Sequence, residues 1–456
     1  MNNDTICAIS TPLGQGGIGI IRISGKHAYK IGTSLFKSSK NKSHLKPYTL
    51  HHGYIISSQG TILDEVLVSF MPAPKSYTGE DVFEINCHGG PVVVKTILKE
   101  VISKGARLAE PGEFTLRAFL NGKIDLTKAE AILEIIEAKS ERSLELASTK
   151  LSGHLKEKIE TIKKRLTDIM ANVVAEIDFD EDIEIDINKI ANTINELIED
   201  INKLIENHEK YSVIMQGATV VLCGEVNAGK SSLLNAILGK ERAIVTDIPG
   251  TTRDFIEDVI NLDGMSIKLI DTAGIRYTED QIEIIGVKRG LELIQKADLV
   301  LLVFDVTKGL SDDVAQICNL IPAQKILAVA NKIDLGFSAT YKNTIDFFRD
   351  KQIELIGISA KTGENIDKLV KKIPQKILGK NPEPVGTELV PNLRQTQSLK
   401  QAKRELEEVL NNIHTVEIDI LYSQLESATR YLKEITGEIT TEDVLNNVFS
   451  NFCIGK

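Results

Sequence analysis

The segment GEVNAGKSS, residues 224–232, combines residue types at a spacing that suits phosphate chemistry. Gly224 and Gly229 let backbone amides turn inward around a phosphate. Lys230 can reach the β- and γ-phosphates, and Ser231 offers a hydroxyl to Mg²⁺. The apolar segment TVVLC precedes this loop and SLLNAIL follows it, so the pattern joins a predicted strand to a predicted helix. In this context a nucleoside triphosphate site is the better interpretation, and a glycine turn with an exposed lysine is the weaker one.

Three later motifs predict that the nucleotide is GTP. DTAG, residues 271–274, supplies a carboxylate that can hold the metal through water and an amide that can sense a γ-phosphate. In NKID, residues 331–334, Asp334 can accept hydrogen bonds from N1–H and the exocyclic amine of guanine, a donor pair that adenine lacks. SAK, residues 359–361, supplies a second loop over the base. The residues predicted to contact GTP are Gly224, Asn227, Ala228, Gly229, Lys230, Ser231, Ser232, Thr246, Asp247, Ile248, Pro249, Gly250, Thr251, Thr252, Asp271, Thr272, Ala273, Gly274, Asn331, Lys332, Asp334, Ser359, Ala360 and Lys361.

The position directly after DTAG departs from many GTPases. They place a glutamine there to orient the attacking water, whereas this chain has Ile275, which cannot hydrogen-bond water. No arginine finger can be identified from the sequence. Another group must therefore supply positive charge, and another must orient the water.

Composition limits the compartment and the partners. The five cysteines are scattered without a CxxC pair, which predicts a reducing cytoplasm and neither a disulfide framework nor a zinc site. We find no run of about 18 apolar residues and no export signal, so a cytoplasmic protein is expected. The net charge of −10 means that any RNA contact depends on a local basic patch or on a partner.

The elements that position these motifs follow one another in three patterns. Residues 1–120 alternate short strands with Gly and Pro, which favours an α+β domain. Residues 121–215 and 380–456 have helical periodicity. Residues 217–378 alternate buried strands with helices, which is typical of a doubly wound parallel sheet. The predicted fold is a multidomain α/β chain with an N-terminal α+β domain, a discontinuous helical domain and an inserted P-loop GTPase domain.

Two apolar stripes carry the helical prediction. Each one repeats at steps of three and four residues, and neither half can bury its stripe alone. We therefore expect one long early helix to pack against a late helix in a single domain, with two separate helical domains as the alternative. The stripes are Leu144, Ala147, Leu151, Leu155, Ile159, Ile162, Leu166, Ile169 and Val173, then Ile418, Leu421, Leu425, Ala428, Leu432 and Ile435.

Nine segments spread along the chain resemble the signatures of one family. They are GIIRISG, TGEDVFE, HGGPVV, PGEFTLRAFLNGKIDL, VNAGKSSLLNA, TDIPGTTRD, DTAGIR, EITGEIT and the terminal FCIGK. Over essentially its whole length the chain is thus similar to the MnmE (TrmE) family of tRNA-modification GTPases. Val226 stands where that family often has proline, and because both residues only shape the loop we expect the change to be tolerated.

This resemblance implies how the missing charge is supplied. Members of the family use K⁺ where an arginine finger would lie, and they are activated when two G domains dimerise. A cation between the β- and γ-phosphates would neutralise developing charge. The implied K⁺ ligands are Asn227, Thr246, Ile248 and Thr251, and the implied Mg²⁺ ligands are Ser231, Thr252 and Asp271.

The resemblance also implies the catalytic groups of the GTPase. It assigns the orientation of the attacking water to Glu283, although Glu279 and Asp280 are equally suitable carboxylates by sequence alone. Lys230 acts on the phosphates, and Arg276 is a candidate helper.

For the N-terminal domain the resemblance implies a bound 5-formyl- or methylene-tetrahydrofolate and dimerisation. The matching folate positions are Arg22, Glu80, Lys123 and the terminal Lys456. A glutamate can pair with the donor edge of the pterin, and basic residues suit the glutamyl tail and the carbonyl groups. Cys87 and His88 in NCHGG are expected to be packed loop residues.

The terminal FCIGK raises three alternatives for Cys453. Prenylation is disfavoured, since Gly455 and Lys456 depart from the usual ending and no polybasic segment precedes them. An idle tail is disfavoured because Thr440 or Thr441 can cap a final helix with an apolar stripe. Docking beside the folate is the third alternative, and a chemical role of Cys453 stays open. The stripe is Val444, Leu445, Val448 and Phe449.

These observations predict the GTPase subunit of a tRNA wobble-uridine modification enzyme. By resemblance it forms a homodimer and works on tRNA with the FAD-dependent MnmG (GidA), without a membrane anchor. The folate supplies the carbon of an aminomethyl or carboxymethylaminomethyl group at C5, and GTP hydrolysis drives a conformational cycle. The alternative is a regulatory GTPase switch in ribosome assembly, which would not need the folate residues or FCIGK.

Overall fold

The chain is described here by a computed structural model, and its described part forms two compact units. The structure describes residues 4–40, 44–178, 186–241, 257–271, 292–379 and 388–456. The first unit comprises Met1–Leu133, Lys150–Ile198 and Gln397–Lys456, and the second comprises Glu134–Thr149 and Glu199–Thr396. The predicted division into three domains is finer than these two units, and its boundaries stay a prediction.

A seven-stranded sheet forms the N-terminal part of the first unit, with the order β3-β4-β5-β6-β2-β1-β7. All neighbours are antiparallel except β1 and β7. Alternating residues of β2 and β6, such as Ile21, Ile23 and Phe83, are buried together with residues of α1 and α2. This arrangement confirms the predicted α+β fold. The elements are β1 (Ile6–Ile9), β2 (Gly19–Ser24), α1 (Ala28–Leu35), β3 (Phe36–Ser38), β4 (His51–Ile56), β5 (Ile62–Met71), β6 (Val82–Cys87), α2 (Pro91–Ser103), β7 (Arg107–Leu108), α3 (Glu113–Leu120) and α4 (Leu126–Glu137).

The helical part of the first unit pairs an early helix with a late one, as the stripes predict. Helix α6 (His154–Asp178) packs along α13 (Ile418–Thr436). Thr429 Oγ1 lies 3.6 Å from Met170 Sδ, and Lys163 Nζ contacts the Glu438 carboxylate. Each of these two helices therefore buries its own apolar stripe against the other helix.

The prediction of a single long early helix is wrong at the N-terminal end of its stripe. The stripe divides into α5 (Glu141–Leu151) and α6, with Gly153 at φ +97° between them. A left-handed glycine ends a helix without steric cost, and it does not interrupt the apolar period in the sequence. Leu144 is exposed and does not belong to the buried stripe.

The last helix, α14 (Glu442–Ser450), is tied to the first unit as predicted. Thr441, not Thr440, caps it, because its Oγ1 accepts a bond of 3.4 Å from Val444 N. Val448 and Phe449 are buried against α3 and α4, in a cluster that includes Leu126.

The second unit contains a six-stranded sheet with the order β13-β12-β11-β8-β10-β9, parallel except for β9 and β10. Every residue of the central strand β11 is buried, and apolar clusters cover both faces of the sheet. The doubly wound prediction is confirmed. The elements are β8 (Ala218–Gly224), α8 (Lys230–Glu241), β9 (Glu257–Leu262), β10 (Met265–Asp271), β11 (Leu299–Asp305), α9 (Asp312–Leu320), β12 (Ile326–Asn331), α10 (Tyr341–Asp350), β13 (Glu354–Gly357) and α11 (Ile366–Leu378).

The structure contains two further helices, α7 (Ile187–Gln216) and α12 (Leu393–Asn412). Within the described ranges, none of the helices is long and apolar enough to span a membrane.

Candidate functional site

The nucleotide motifs meet at one edge of the six-stranded sheet. Strands β8, β10, β11 and β12 end at Gly224, Asp271, Asp305 and Asn331. Gly224 pairs in register with Val303, and Asp305 pairs with Asn331. Ligands of doubly wound sheets bind outside the carboxyl ends of the strands, so the fold itself collects these groups.

The phosphate loop needs both of its glycines. Gly224 has φ +135°, and a Cβ there would lie 1.9 Å from Val303 O. Gly229 has φ +92°, and a Cβ there would lie 2.3 Å from Asn331 Nδ2. Helix α8 begins directly afterwards at Lys230, so its N-terminal amides face the space that the loop surrounds. The loop fits a phosphate.

The lysine and the metal-binding groups of the loop lie close together. Lys230 Nζ donates to Gly224 O at 2.9 Å and to Glu225 O at 2.7 Å. Burial lowers the pKa of Lys230, and the nearby Asp271 carboxylate opposes this shift. Ser231 Oγ donates to Asp271 Oδ2 at 2.9 Å. A hydroxyl and a carboxylate in contact offer the hard oxygen ligands that Mg²⁺ prefers.

Asn331 joins three loops of the site. Its Nδ2 donates to Ala228 O of the phosphate loop at 2.8 Å. Its Oδ1 accepts from Lys332 N at 2.8 Å and from Ala360 N of the SAK loop at 3.0 Å. Asn331 is buried, so these bonds hold the base-recognition loops at a fixed distance from the phosphate loop.

Lys332 forms a second connection, to a residue that the sequence analysis missed. Its Nζ donates to Asn227 O at 2.9 Å and to Asp305 Oδ2 at 2.6 Å. Burial would raise the pKa of Asp305, but the bonds from Lys332 and Thr307 lower it below its usual value. The only sequence signal for Asp305 is a carboxylate at the end of the apolar strand LVLLVFD.

The remaining described GTP positions surround this core of contacts. Asp334 and Lys361 are exposed at the mouth of the base site, whereas Ser359 is buried and its Oγ accepts from Thr362 N at 3.1 Å. Ser232 is exposed on the first turn of α8. The predicted positions that lie outside the described residues are Thr246, Asp247, Ile248, Pro249, Gly250, Thr251, Thr252, Thr272, Ala273, Gly274, Arg276 and Glu283.

A second group of predicted site residues lies in the first unit. On β2, Arg22 Nε donates to Glu84 Oε1 at 2.8 Å, and Nη1 donates to Gly455 O at 3.2 Å. Its guanidinium carbon lies 5.7 Å from the ring centroids of both Tyr77 and Phe114. The structure thus brings Arg22 to the residue before the terminal lysine.

Glu80 contacts the strand that carries Arg22, and Lys123 lies next to Gly79. Glu80 Oε2 accepts from Ser24 Oγ at 2.8 Å. Lys123 Nζ donates to Pro74 O at 3.0 Å, and its Cγ would lie 3.2 Å from a Cβ on Gly79, the neighbour of Glu80. A partly exposed carboxylate, with a lysine side chain next to the preceding residue, fits a ligand that has a donor edge and an anionic tail.

The C-terminal tail docks on the seven-stranded sheet. Ile454 forms an antiparallel bridge with Pro111, and Gly455 O also accepts from Ser10 Oγ at 3.1 Å. Gly455 has φ +102°, and a Cβ there would lie 2.4 Å from Ile9 O. The tail is therefore held in place, which contradicts the idle-tail alternative, and it leaves Cys453 exposed.

The other four cysteines are buried. Burial raises the pKa of Cys7 and Cys223 to about 12 and that of Cys87 and Cys318 to about 11. Cys87 Sγ donates to Gly19 O at 3.2 Å, so Cys87 is packed as expected, although it ends strand β6 and does not lie in a loop. The packed prediction is wrong for His88, which is exposed and has its Nδ1 2.7 Å from Asp64 Oδ1. Among the described residues no cluster of three or more His, Cys, Asp or Glu side chains could hold a metal ion.

We expect iodoacetamide at pH 8 to alkylate Cys453 and to leave the four buried cysteines unmodified. A thiol with a pKa of about 11 is roughly one part in a thousand thiolate at this pH, and its burial also blocks access. Mass spectrometry of peptides after short labelling measures this, with guanidinium-unfolded protein as the control in which all five react. Equal labelling of Cys87 and Cys453 in the native protein would contradict the arrangement.

Comparison with known proteins gives two family matches that together span most of the chain. The model described as "MnmE helical domain" matches residues 126–453. The model described as "GTP-binding protein TrmE N-terminus" matches residues 5–123.

Curated relatives match from end to end. The chain is 44% identical over 472 residues to a "tRNA modification GTPase MnmE" of Carboxydothermus hydrogenoformans, with 100% of both chains covered. It is 43% identical over 459 residues to the protein of that name from Syntrophus aciditrophicus, again with 100% of both covered. A crystal structure of the G domain of the T. maritima FeoB iron transporter is 28% identical, with 35% of this chain and 98% of that chain covered. Its TM-score of 0.26 adds nothing to the assignment.

Proposed function

The chain belongs to the MnmE family of tRNA modification GTPases and is a GTP hydrolase acting in tRNA modification, and we propose that K⁺ activates its hydrolysis. The observation that carries the proposal is the arrangement of the phosphate loop. Asn227 is exposed at φ +64°, and its carbonyl is held by Lys332. Its side chain is therefore free to turn toward an ion at the phosphates.

The chain's own residues would divide the work at GTP as follows. The glycine cradle and the N-terminus of α8 bind the phosphates, and Lys230 moves from the loop carbonyls to the β- and γ-phosphates. Ser231, Asp271 and Thr252 would hold Mg²⁺, which neutralises the phosphate charge when bound. Asn227, Thr246, Ile248 and Thr251 would hold K⁺. Glu283 would orient the attacking water, with Arg276 as a helper in the same segment.

We further propose that the first unit binds 5-formyl- or methylene-tetrahydrofolate through Arg22, Glu80, Lys123 and Lys456. Support comes from the contact of Arg22 with the docked tail and from the exposed side of the Glu80 carboxylate. The folate would supply the carbon added at C5 of the tRNA wobble uridine. Cys453 is exposed on the same tail, where a chemical role is open.

The proposed assembly is a cytoplasmic homodimer that works on tRNA with the FAD-dependent MnmG (GidA). GTP hydrolysis would drive a conformational cycle and not the carbon chemistry itself. The proposed domains are 1–120 for folate binding and dimerisation, 121–215 with 380–456 for the helical domain, and 217–378 for the GTPase.

Two measurements test this function. GTP hydrolysis by the full chain is expected to be at least about tenfold faster in K⁺ than in Na⁺ at equal ionic strength, because the ion neutralises charge in the transition state. Asn227→Lys, which would place its own charge there, should weaken that difference.

Wobble uridines from cells that lack the protein should lose the C5 group in mass analysis. Equal rates in both salts would refute K⁺ activation, and unchanged uridines would favour a ribosome-assembly switch.

A further inference from the structure

We propose that Arg117 positions the Glu80 carboxylate for ligand binding, an inference that rests on the proposed tetrahydrofolate site. Arg117 lies on α3, in the segment EFTLRAFL, and the sequence analysis did not select it. Its side chain is buried, whereas that of Glu80 is 26% exposed. Arg117 therefore acts on the ligand only through Glu80.

The contacts of Arg117 fix the plane of its guanidinium. Nη2 donates to Asp4 Oδ1 at 2.7 Å and to Glu113 Oε1 at 2.9 Å. Nη1 donates to Asp4 O at 3.0 Å and lies 3.2 Å from each carboxylate oxygen of Glu80. A planar group anchored along one edge has a defined direction at the other edge. Arg117 thus determines where the Glu80 carboxylate lies.

A second contact completes the positioning of Glu80. The hydroxyl of the buried Ser24 donates to Oε2 at 2.8 Å and is itself bonded to Thr78 Oγ1 at 2.7 Å. The carboxylate is therefore held from β2 and from α3. An ionised carboxylate has about four acceptor sites, so sites on its exposed side remain for a pair of ligand N–H donors.

The distribution of charge explains why Glu80 faces the ligand. Asp4 and Glu113 each pair with two guanidiniums, those of Arg117 and Arg107. Burial would raise the pKa of both carboxyl groups, but the arginine bonds lower it. Within the described ranges Glu80 forms an ion pair with Arg117 alone, so three carboxylates face two guanidiniums. The remaining negative charge lies at the exposed end, where the donor edge of a pterin would bind.

Arg107 provides a matched control. Arg107 Nε donates to Asp4 Oδ2 at 2.8 Å and Nη2 donates to Glu113 Oε1 at 2.7 Å. Its side-chain bonds within the described residues go to Asp4, Glu113 and Leu108 O, and not to Glu80. Substitution by lysine keeps the charge and removes the fork at either position. The two variants therefore differ in whether Glu80 loses its partner.

The test measures binding of 5-formyltetrahydrofolate to the full-length protein by calorimetry. We expect Arg117→Lys to raise Kd at least about tenfold, as for a lost bond to a charged group, and Arg107→Lys to raise it less than about threefold. GTP hydrolysis and the unfolding midpoint report folding in both variants. Arg117→Gln repeats the test if the lysine variant does not fold.

A structural role and a positioning role differ in a double-mutant cycle. In an E80Q background, Arg117→Lys should raise Kd by less than about twofold, because the partner that it positions is already lost. Additive losses, or equal losses in Arg117→Lys and Arg107→Lys, would overturn the inference. Absence of binding by the unmodified protein would remove the folate site and the inference with it, which is a distinct outcome.

Discussion

We expect Asn331→Ala to lower GTP affinity by at least about 100-fold. The variant removes a buried amide that bonds Ala228 O, Lys332 N and Ala360 N. Each buried group left without a partner costs the GTP-binding arrangement of the loops about 1–3 kcal/mol, so two or three of them lower the apparent affinity by about this factor. The phosphate loop and the two base loops would also lose the side chain that joins them. Fluorescence titration with a labelled GTP analogue measures the effect.

Asn319→Ala is the matched control for this variant. Asn319 lies exposed on α9, where its Oδ1 accepts from Lys351 Nζ at 2.7 Å. The same chemical change there should leave GTP affinity and the unfolding midpoint unchanged, since exposed surface pairs contribute little. If Asn331→Ala bound GTP within about threefold of the unmodified protein, the joining role of Asn331 would be wrong.

The joining contacts connect base recognition to the phosphate loop. Asn331 reaches Ala228, and the next residue, Lys332, reaches the carbonyl of Asn227. Both bonds come from the NKID segment that also carries Asp334. A change in these loops on guanine binding would therefore reach the phosphate loop through two direct bonds, one to Ala228 O and one to Asn227 O. Guanine recognition and the proposed K⁺ site therefore depend on the same hydrogen-bonded loops.

The nucleotide site could be predicted from the sequence because its backbone restricts the residue types. Only glycine avoids the close contact of position 224 with Val303 O and that of position 229 with Asn331 Nδ2. Strand β11, which is apolar up to its final residue Asp305, likewise indicates burial on both faces of the sheet. Local demands of this kind appear in the sequence as motifs.

Arg117 and Asp305 could not be predicted in the same way. Arg117 bonds Asp4, 113 positions earlier, and Asp305 bonds Lys332, 27 positions later. Nothing local distinguishes a charged residue with a distant partner from a solvated one. The break at Gly153 was missed for a different reason, because one glycine does not disturb an apolar period that continues on both sides.

The position of the C-terminal tail could be predicted from the sequence only in part. The stripe that includes Val448 and Phe449 predicts that the last helix is buried, and its packing on α3 and α4 confirms this. Where the tail then lies was implied by the family resemblance alone. Its two bonds to Gly455 O come from Ser10 and Arg22, which are more than 400 positions away in the chain.

Asp334→Asn should change the base that the site selects. The carboxylate offers only acceptors to the two N–H donors of guanine, whereas an amide offers one acceptor and one donor, which suits xanthine. A buried site that hydrogen-bonds a group of its substrate discriminates against an analogue without that group by a factor of about 10⁴–10⁵. Because Asp334 is exposed in this structure, water competes, and we expect GTP affinity to fall by about 10²–10³ while xanthosine triphosphate affinity rises.

Titration of both nucleotides against the variant and the unmodified protein measures this exchange of specificity. Asp350→Asn removes the same charge from an exposed position at the end of α10, and neither affinity should change there. A nonspecific effect of the lost charge would lower the affinity for both nucleotides equally in both variants. Selectivity for GTP that persisted in Asp334→Asn would exclude Asp334 from base recognition and leave the SAK loop as the base-selecting element. Reversal confined to Asp334→Asn would instead show that one carboxylate reads the guanine edge.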